Sequence, residues 1–429
     1  MDAAASALAA ASFEHLNGCL RRDDGAGWSL QLGAVRMRSA FQPVYSLAHG
    51  RAVGHEALLR AYDESGRAIP LRHALHGNGS FADMLRADRA ARLVHALNFA
   101  AQAPDAHWLF LNIQPKIFVE IARLRLEGFQ QRLLERCGLP GHRIVLEVVE
   151  DAVPEGADFE GGLAGARSDG CLIAIDDFGA GHSNFDRVWR LRPEIVKLDR
   201  SLVRRAALEA QARRVVVQMV ALLHHCGALV LMEGVQTEDE AFVALDANAD
   251  LVQGEWFGPP RPDLARAAET PRALAALWRD YEQRRERDRH DAEARMRPYI
   301  NAIGYASALL ADGRSLAEAT AGFLGLPDAE VCYLIDQEAR QIGENAWAAQ
   351  RLESEPPAFA PMRETDGANW GRRPYFRRAI EHVGKVQVTR PYRTLHGAHL
   401  CVTVSVAYRA GAAGLRVVCG DLAWDGAPR

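Results

Sequence analysis

Several short apolar runs in this chain end on, or close to, a polar residue. "AVGHEALLR" carries Glu56, "HWLFLNI" Asn112, "RIVLEVVE" Glu147, "CLIAIDD" Asp176 and Asp177, "EIVKLD" Lys197, "ALVLMEG" Glu233 and "ADLVQGE" Gln253. A single polar residue of this kind is what any strand shows where it reaches solvent. Seven such runs in order, rich in carboxylates, form a pattern. Carboxylates with an amide oxygen, and no cysteine or clustered histidine, make a hard-oxygen donor set, which suits magnesium or manganese better than zinc. Two adjacent aspartates can serve two ions, one carboxylate bridging, and paired divalent ions activate water for in-line displacement at phosphorus. A lysine in the set supplies a point charge for that water or for the negative charge developing at phosphorus. The chemistry indicated is hydrolysis of a phosphate ester, and these residues alone do not name the substrate.

For the polar residues to meet, the strands that carry them must share one rim. From about residue 38 to 258, short apolar runs alternate with longer stretches of helical period, beginning with "SAFQPVYSL". Eight strand units over roughly 220–250 residues match a (β/α)8 barrel, whose strands all end at the face where active sites are built. No GxGxxG follows the first strand, which argues against a dinucleotide fold. The first two runs are joined only by "AHGR", around His49 and Gly50. A parallel crossover needs a dozen or more residues, so these strands are expected to form an antiparallel hairpin. The expected fold class is α/β: a modified TIM (β/α)8 barrel with an antiparallel first strand.

Composition sets limits around that reading. The chain has 429 residues, 48% hydrophobic and 25% charged, and a formal net charge of −4. Two or three domains with large cores are affordable, and no bulk charge invites a DNA or RNA polymer. Seven cysteines without CxxC spacing suggest a reducing compartment. The alanine-rich start lacks a secretory pattern and no run of ~18 apolar residues occurs, so a cytoplasmic protein without membrane association is expected. After residue 265 a charge-rich helical stretch containing Trp278, Tyr281, Tyr299 and Ile303 reads as a solvated linker helix, with a dimerising helix as the alternative. Beyond it, "AEVCYLIDQ", "KVQVTRPYR", "AHLCVTVSVAYR" and "GLRVVCGDL" suggest a small α+β domain with an antiparallel sheet. The expected divisions are an N-terminal extension over 1–30, a barrel over 31–265, a linker helix over 266–312 and a last domain over 313–429.

The blocks "FQPVYSL…GHEALLR", "LNIQP", "LEVVED", "IAIDDFGAGHSNFDRV", "IVKLDRSLV", "MEGVQT" and "VQGEWFGPP", taken in order from Phe41 to Pro260, resemble the EAL domain family. The tripeptide alone carries little weight; the ordered set is specific. The resemblance implies a phosphodiesterase that linearises cyclic di-GMP to pGpG with two Mg2+ or Mn2+ ions per site, with Ca2+ inhibitory, in a protein that forms a homodimer. It implies that Glu56, Asn112, Glu147 and Asp176 ligate the first ion, with Asp176 or Asp177 bridging and Asp177 anchoring the second. Lys197 would contact the attacking water and help orient or deprotonate it, and Glu233 would hold a water at the metals or the lysine. Glu150 would brace the loop after Asp177. Gln253 would line the metal pocket, and Gln42, Arg60, Phe257 and Pro259 would hold phosphate and guanine. An arginine four residues past Glu56 is placed to fork onto a phosphate oxygen. Glu255, His182 and Asn184 depart from the commoner family residues and read as tuning positions; none removes an implied ligand.

The segment "RRPYFRRAIEHVGKVQVTRPYRTLHGAHLCVTVSVAYR" resembles PAS- and Cache-like sensor domains, in which a helix packs over a sheet that often binds a small molecule. Arg373, Tyr375 and Tyr392 are its candidate pocket residues, for a ligand that remains unnamed. The leading expectation is an active phosphodiesterase regulated by this domain. The alternatives are a catalytically silent cyclic di-GMP receptor and a barrel kept as an interaction scaffold.

Overall fold

The computed structural model, which describes residues 11–23, 27–70, 80–103, 106–124, 128–150, 157–181, 185–264, 272–349, 364–393 and 400–424, realises the strand series as a closed barrel. The chain divides into two units, Met1–Tyr281 and Glu282–Arg429. Strands of the first unit are β1 (Leu20–Asp23), β2 (Gly27–Leu32), β3 (Val35–Ser46), β4 (Arg51–Tyr62), β5 (Ala68–Ile69) and β6 (Trp108–Asn112). They continue with β7 (Ile144–Val149), β8 (Leu172–Phe178), β9 (Ile195–Leu198), β10 (Leu229–Met232) and β11 (Leu251–Val252). The order β3-β11-β10-β9-β8-β7-β6-β4 closes on itself through the β3–β4 pairing. β3 is antiparallel to both its barrel neighbours, β4 and β11, while β4 and β6 to β11 run parallel. The hairpin read from "AHGR" is present: Gly50 turns the chain at φ +59°, and its N–H donates to Ser46 O at 2.9 Å. A side chain resists that left-handed conformation, so glycine suits the turn.

The barrel interior is layered. Val44, Phe110, Val145, Ala174, Ile195, Leu231 and Leu251 form one buried apolar cluster, a residue from each of seven strands. Side chains alternate across a strand, so the residue two positions nearer the rim faces the same interior. Those residues are Gln42, Asn112, Glu147, Asp176, Lys197, Glu233 and Gln253, in strand order β3 and β6 to β11. On β4 the corresponding pair is Gly54 and Glu56. Gly54 has a packing reason to be glycine, since a Cβ there would sit 2.8 Å from Phe110 Cε2. An apolar plug thus closes the barrel beneath a polar layer.

Around the barrel, the helix Phe81–Ala100 covers β3, with Ser80 as its cap accepting from the Asp83 N–H. Residues expected only as part of an extension form β1 and begin β2, and β2 pairs with β3 to prolong the sheet past the barrel. The helix Arg272–Ala311 buries Leu274, Leu277 and Tyr281 among the residues of the first unit. From Met296 onward its apolar side chains join the core of the second unit. Among the described residues no helix is long and apolar enough to cross a membrane.

The second unit is an antiparallel sheet of β12 (Ala329–Asp336), β13 (Gln341–Trp347), β14 (Gln387–Val388), β15 (Tyr392–Arg393), β16 (Leu400–Arg409) and β17 (Leu415–Trp424). One face packs on Ile303, Ala306 and Phe323; the other packs on the helix Pro374–Glu381 through Tyr375, Phe376 and Ala379. The expected α+β domain is therefore present. β13, "QIGENAW", is polar enough to escape a search for apolar runs.

The layered barrel predicts that Gly54→Ala overpacks the plug against Phe110, lowering the stability of the first unit by roughly 1–3 kcal/mol. Denaturant unfolding should show this loss, and adding Phe110→Leu should recover part of it. Equal stability of Gly54→Ala and wild type would contradict the layer.

Candidate active site

The Lys197 ammonium lies at the centre of the polar layer. Its Nζ is 2.8 Å from Glu147 Oε1, 2.8 Å from Asp176 Oδ1, 3.2 Å from Glu233 Oε2 and 3.5 Å from Glu56 Oε2. Lys197 is 1% exposed and Glu147 is fully buried. Burial alone would lower the lysine pKa, but the surrounding carboxylates hold it well above its usual value. Burial and the neighbouring Glu56 push Glu147 well upward, against the pull of Lys197. Glu233 is also raised, by burial and then by Asp176 and Glu56, again opposed by Lys197. One cation thus faces four acids, and the layer holds more negative charge than the lysine neutralises.

Glu56 is held from both sides. Asn112 Nδ2 donates to its Oε1 at 3.1 Å and Gln253 Nε2 to its Oε2 at 2.8 Å. With its amide N–H engaged, Asn112 keeps its carbonyl oxygen for another partner. Gln253 also donates to Gln42 Oε1 at 3.3 Å, and Gln42 Nε2 donates to Gly258 O at 3.3 Å.

Two consecutive aspartates can serve one site only if the strand breaks its alternation. β8 does so: between Ile175 and Phe178 it carries one residue more than β9 does between Val196 and Leu198. Asp177 takes φ +56°, unusual for a residue with a side chain. Oxygens of Asp176, Asp177 and Glu233 come within 4.8 Å of one another. Burial and the adjacent Asp176 raise the Asp177 pKa. Glu150, buried, accepts from the Gly179 N–H at 3.4 Å and lies 3.6 Å from Arg187. It therefore touches the segment after Asp177, while His182 and Asn184 fall outside the described residues.

The donor set fits hard divalent cations. Both Glu147 oxygens and Asp176 Oδ1 are buried without an aligned hydrogen bond, although the ammonium is close. Unsatisfied, all-oxygen donors at this density are what magnesium or manganese coordination uses.

The structure brings Glu56, Asn112, Glu147, Asp176, Asp177, Lys197, Glu233, Gln253 and Gln42 together. Arg60 is half-buried further along β4, bonded to Leu59 O at 3.0 Å; among the described residues no carboxylate pairs with it. Phe257, expected beside phosphate and guanine, lies in the core. It is 3% exposed and packs on Tyr45 and Trp256, with ring centroids 5.8 and 4.8 Å away, so its face is spent on the core. The neighbouring Trp256, which sequence reasoning passed over, is the half-buried aromatic of this segment, and Pro259 and Glu255 are exposed.

In the second unit, Arg373, Tyr375 and Tyr392 do meet. The Arg373 guanidinium stands 5.6 Å from the Tyr392 ring centroid, and the Tyr375 and Tyr392 rings stack at 6.3 Å. Tyr375 is itself buried, so it supplies packing more than open surface. Beneath them Thr403 Oγ1 donates to Asp421 Oδ1 at 2.7 Å and lies 2.6 Å from the Tyr392 hydroxyl. Burial pushes Asp421 up to about 7 despite its Thr403 hydrogen bond.

Comparison with known proteins adds the following. The family profile described as "EAL domain" matches residues 28–260. An uncharacterized protein of Azorhizobium caulinodans is 31% identical over 247 residues, 55% of this chain and 32% of its own length. The cyclic di-GMP phosphodiesterase RocR of Pseudomonas aeruginosa is 26% identical over 226 residues, 52% of this chain and 57% of RocR. The chain thus spans between about a third and just over half of these curated relatives. The Bacillus subtilis YkuI protein, solved with c-di-GMP and calcium, superposes with a TM-score of 0.74 at 20% identity, covering 91% of this chain and 96% of that one. At that identity the likeness concerns the fold.

Two expectations follow. Lys197→Met should lower the melting temperature by roughly 10 °C in chelator, because buried acids lose their counter-charge, and manganese should restore most of the loss. An equal loss with and without manganese would contradict a cation-requiring layer. Asp421 binds its proton more tightly folded than unfolded, so the second unit should lose up to about 4 kcal/mol of stability as pH rises from about 4 to 7. Asp421→Asn should flatten that dependence in unfolding measurements; an unchanged slope would contradict the assignment.

Proposed function

The chain belongs to the EAL domain family, and from that premise we propose that it is a metal-dependent phosphodiesterase opening cyclic di-GMP to linear pGpG. The observation that carries this reading is the complete polar layer. Glu56, Asn112, Glu147, Asp176, Asp177, Lys197 and Glu233 are all retained; four of the acids converge around the one buried lysine, and Asn112 donates to Glu56. A protein that only bound the dinucleotide would have no need to keep so many unsatisfied carboxylates beside a lysine.

In this reading Glu56, Asn112, Glu147, Asp176 and Asp177 would hold the two Mg2+ or Mn2+ ions. When bound, the two ions supply Lewis acidity and lower the pKa of water. Lys197, held as an ammonium by its acids, positions the water and stabilises charge at phosphorus. Glu233 steers Lys197. The water oxygen adds to phosphorus, the P–O3′ bond breaks, and the products carry a 5′-phosphate and a 3′-hydroxyl. Arg60 binds phosphate, and Gln42 with the Pro259 segment contacts guanine. The second unit is a regulatory domain for a small molecule near Arg373 and Tyr392. The protein works in the cytoplasm as a homodimer.

Purified protein with magnesium or manganese should convert cyclic di-GMP to pGpG by chromatography. Chelation should stop the reaction, calcium should inhibit it, and Glu56→Ala should reduce turnover at least 100-fold, on the order of 3 kcal/mol of transition-state stabilisation. Tight binding without turnover would favour a silent receptor instead. Normal turnover by Glu56→Ala would overturn the ligand assignment.

A further inference from the structure

Two charged side chains of the second unit stand near each other without pairing. Arg373 immediately precedes the helix Pro374–Glu381, and its Nε is buried without an acceptor. Among the described residues its guanidinium forms no ion pair and donates no hydrogen bond. A donor already stripped of water and left unpaired costs stability until a partner arrives. Asp421 of β17 is buried. Thr403 Oγ1 donates to it at 2.7 Å and the Tyr333 hydroxyl at 3.5 Å, and both bonds fall on Oδ1. Among the described residues nothing donates to Oδ2, and no cation comes within ion-pair distance of the carboxylate. Glu330, also buried, adds negative charge nearby instead of relieving it.

Different elements hold the two charges, and tyrosines frame the place between them. Thr403 of β16 lies directly opposite Asp421, with Val331 of β12 on the other side. Side chains alternate across a strand, so Asp421 and Thr403 share the sheet face of Cys419 and Ala407, the face on which the helix packs. Tyr392 of β15 reaches from one charge toward the other. Its ring centroid is 5.6 Å from the Arg373 guanidinium, and its hydroxyl is 2.6 Å from the Thr403 Oγ1 that bonds Asp421. The Tyr375 ring stacks on Tyr392 at 6.3 Å. Arg373 exerts a pull on Asp421 without meeting it. A ligand with only a carboxylate would satisfy Arg373 and bring further negative charge toward Asp421 and Glu330. A ligand with only an amine would satisfy Asp421 and bring positive charge toward the guanidinium. A ligand carrying both ends compensates both buried groups at once.

We propose that this place binds an α-amino acid, its carboxylate forked by Arg373 and its ammonium received by Asp421, Thr403 and the Tyr392 hydroxyl. The assignment rests on the reading of the second unit as a small-molecule domain and names the ligand class. Paired N–H groups of arginine match the two oxygens of a carboxylate. The ammonium supplies the counter-charge that Asp421 lacks.

The test is thermal unfolding of the full chain with each protein amino acid in turn, and with propionate and propylamine as probes that carry one end only. At least one amino acid should raise the transition of the second unit by about 5 °C or more near saturation. Propionate and propylamine should not. Blocking either end of the active amino acid, as its amide or its N-acetyl derivative, should abolish the shift. In titration calorimetry Arg373→Gln and Asp421→Asn should each raise its Kd about ten-fold or more, with Arg373→Lys between, because lysine keeps the charge and loses the fork. The blocked derivatives test the same two contacts in the unaltered protein, should a variant fold poorly. No shift with any amino acid overturns the proposal, and so does a shift that survives the loss of either end. A shift with propionate and with no amino acid overturns the zwitterion and keeps the small-molecule reading. An amino acid that binds without changing cyclic di-GMP turnover supports the site and overturns the regulatory role given to this unit.

Discussion

The constraint on which the barrel depends is a buried lysine surrounded by acids. Four carboxylates approach the Lys197 ammonium in a region almost without solvent exposure. Buried charges are tolerated only when they are compensated, and a single ammonium leaves the acids under-compensated. The imbalance explains the upward pKa directions of Glu147, Glu233 and Asp177, each raised first by burial and then by neighbouring acids. It also gives the layer its affinity for further positive charge. The amides of Asn112 and Gln253 fix Glu56 without neutralising it.

The rest of the barrel keeps this layer in place. The apolar plug below excludes water from one side, so the acids cannot be solvated from beneath. The bulge in β8 and the left-handed backbone of Asp177 turn two consecutive carboxylates toward one site. Such local strain is tolerated where the surrounding structure over-determines it. The antiparallel β3 does something a regular barrel strand would not. It pairs with β4 beyond the rim and extends the ladder past Gln42 and Glu56.

Much of this was legible in the sequence for a simple reason. Strand ends repeat the same two-residue step from apolar to polar, and a linear reading detects that step without coordinates. The hairpin was equally legible, because "AHGR" is too short to cross over. Features that depend on pairing were not. The pairing of Gln42 with Glu56 exists only once the β3–β4 register is known. The β8 bulge leaves no trace in "IAIDDF" beyond the doubled aspartate. That Phe257 is buried and Trp256 only half-buried was not legible, because a turn, rather than a strand, sets which ring faces inward. β1, β2 and β13 are short or polar strands whose stability comes from their neighbours, so local pattern undercounts them.

The central claim is that the acids around Lys197 form a site for two divalent cations. Anomalous diffraction from crystals grown with manganese tests it most directly. The account predicts two peaks about 4 Å apart, bounded by Glu56, Asn112, Glu147, Asp176 and Asp177, with the lysine withdrawn from at least one of its acids. A site that stays free of anomalous density at saturating manganese, with Lys197 still in contact with all four acids, would contradict it.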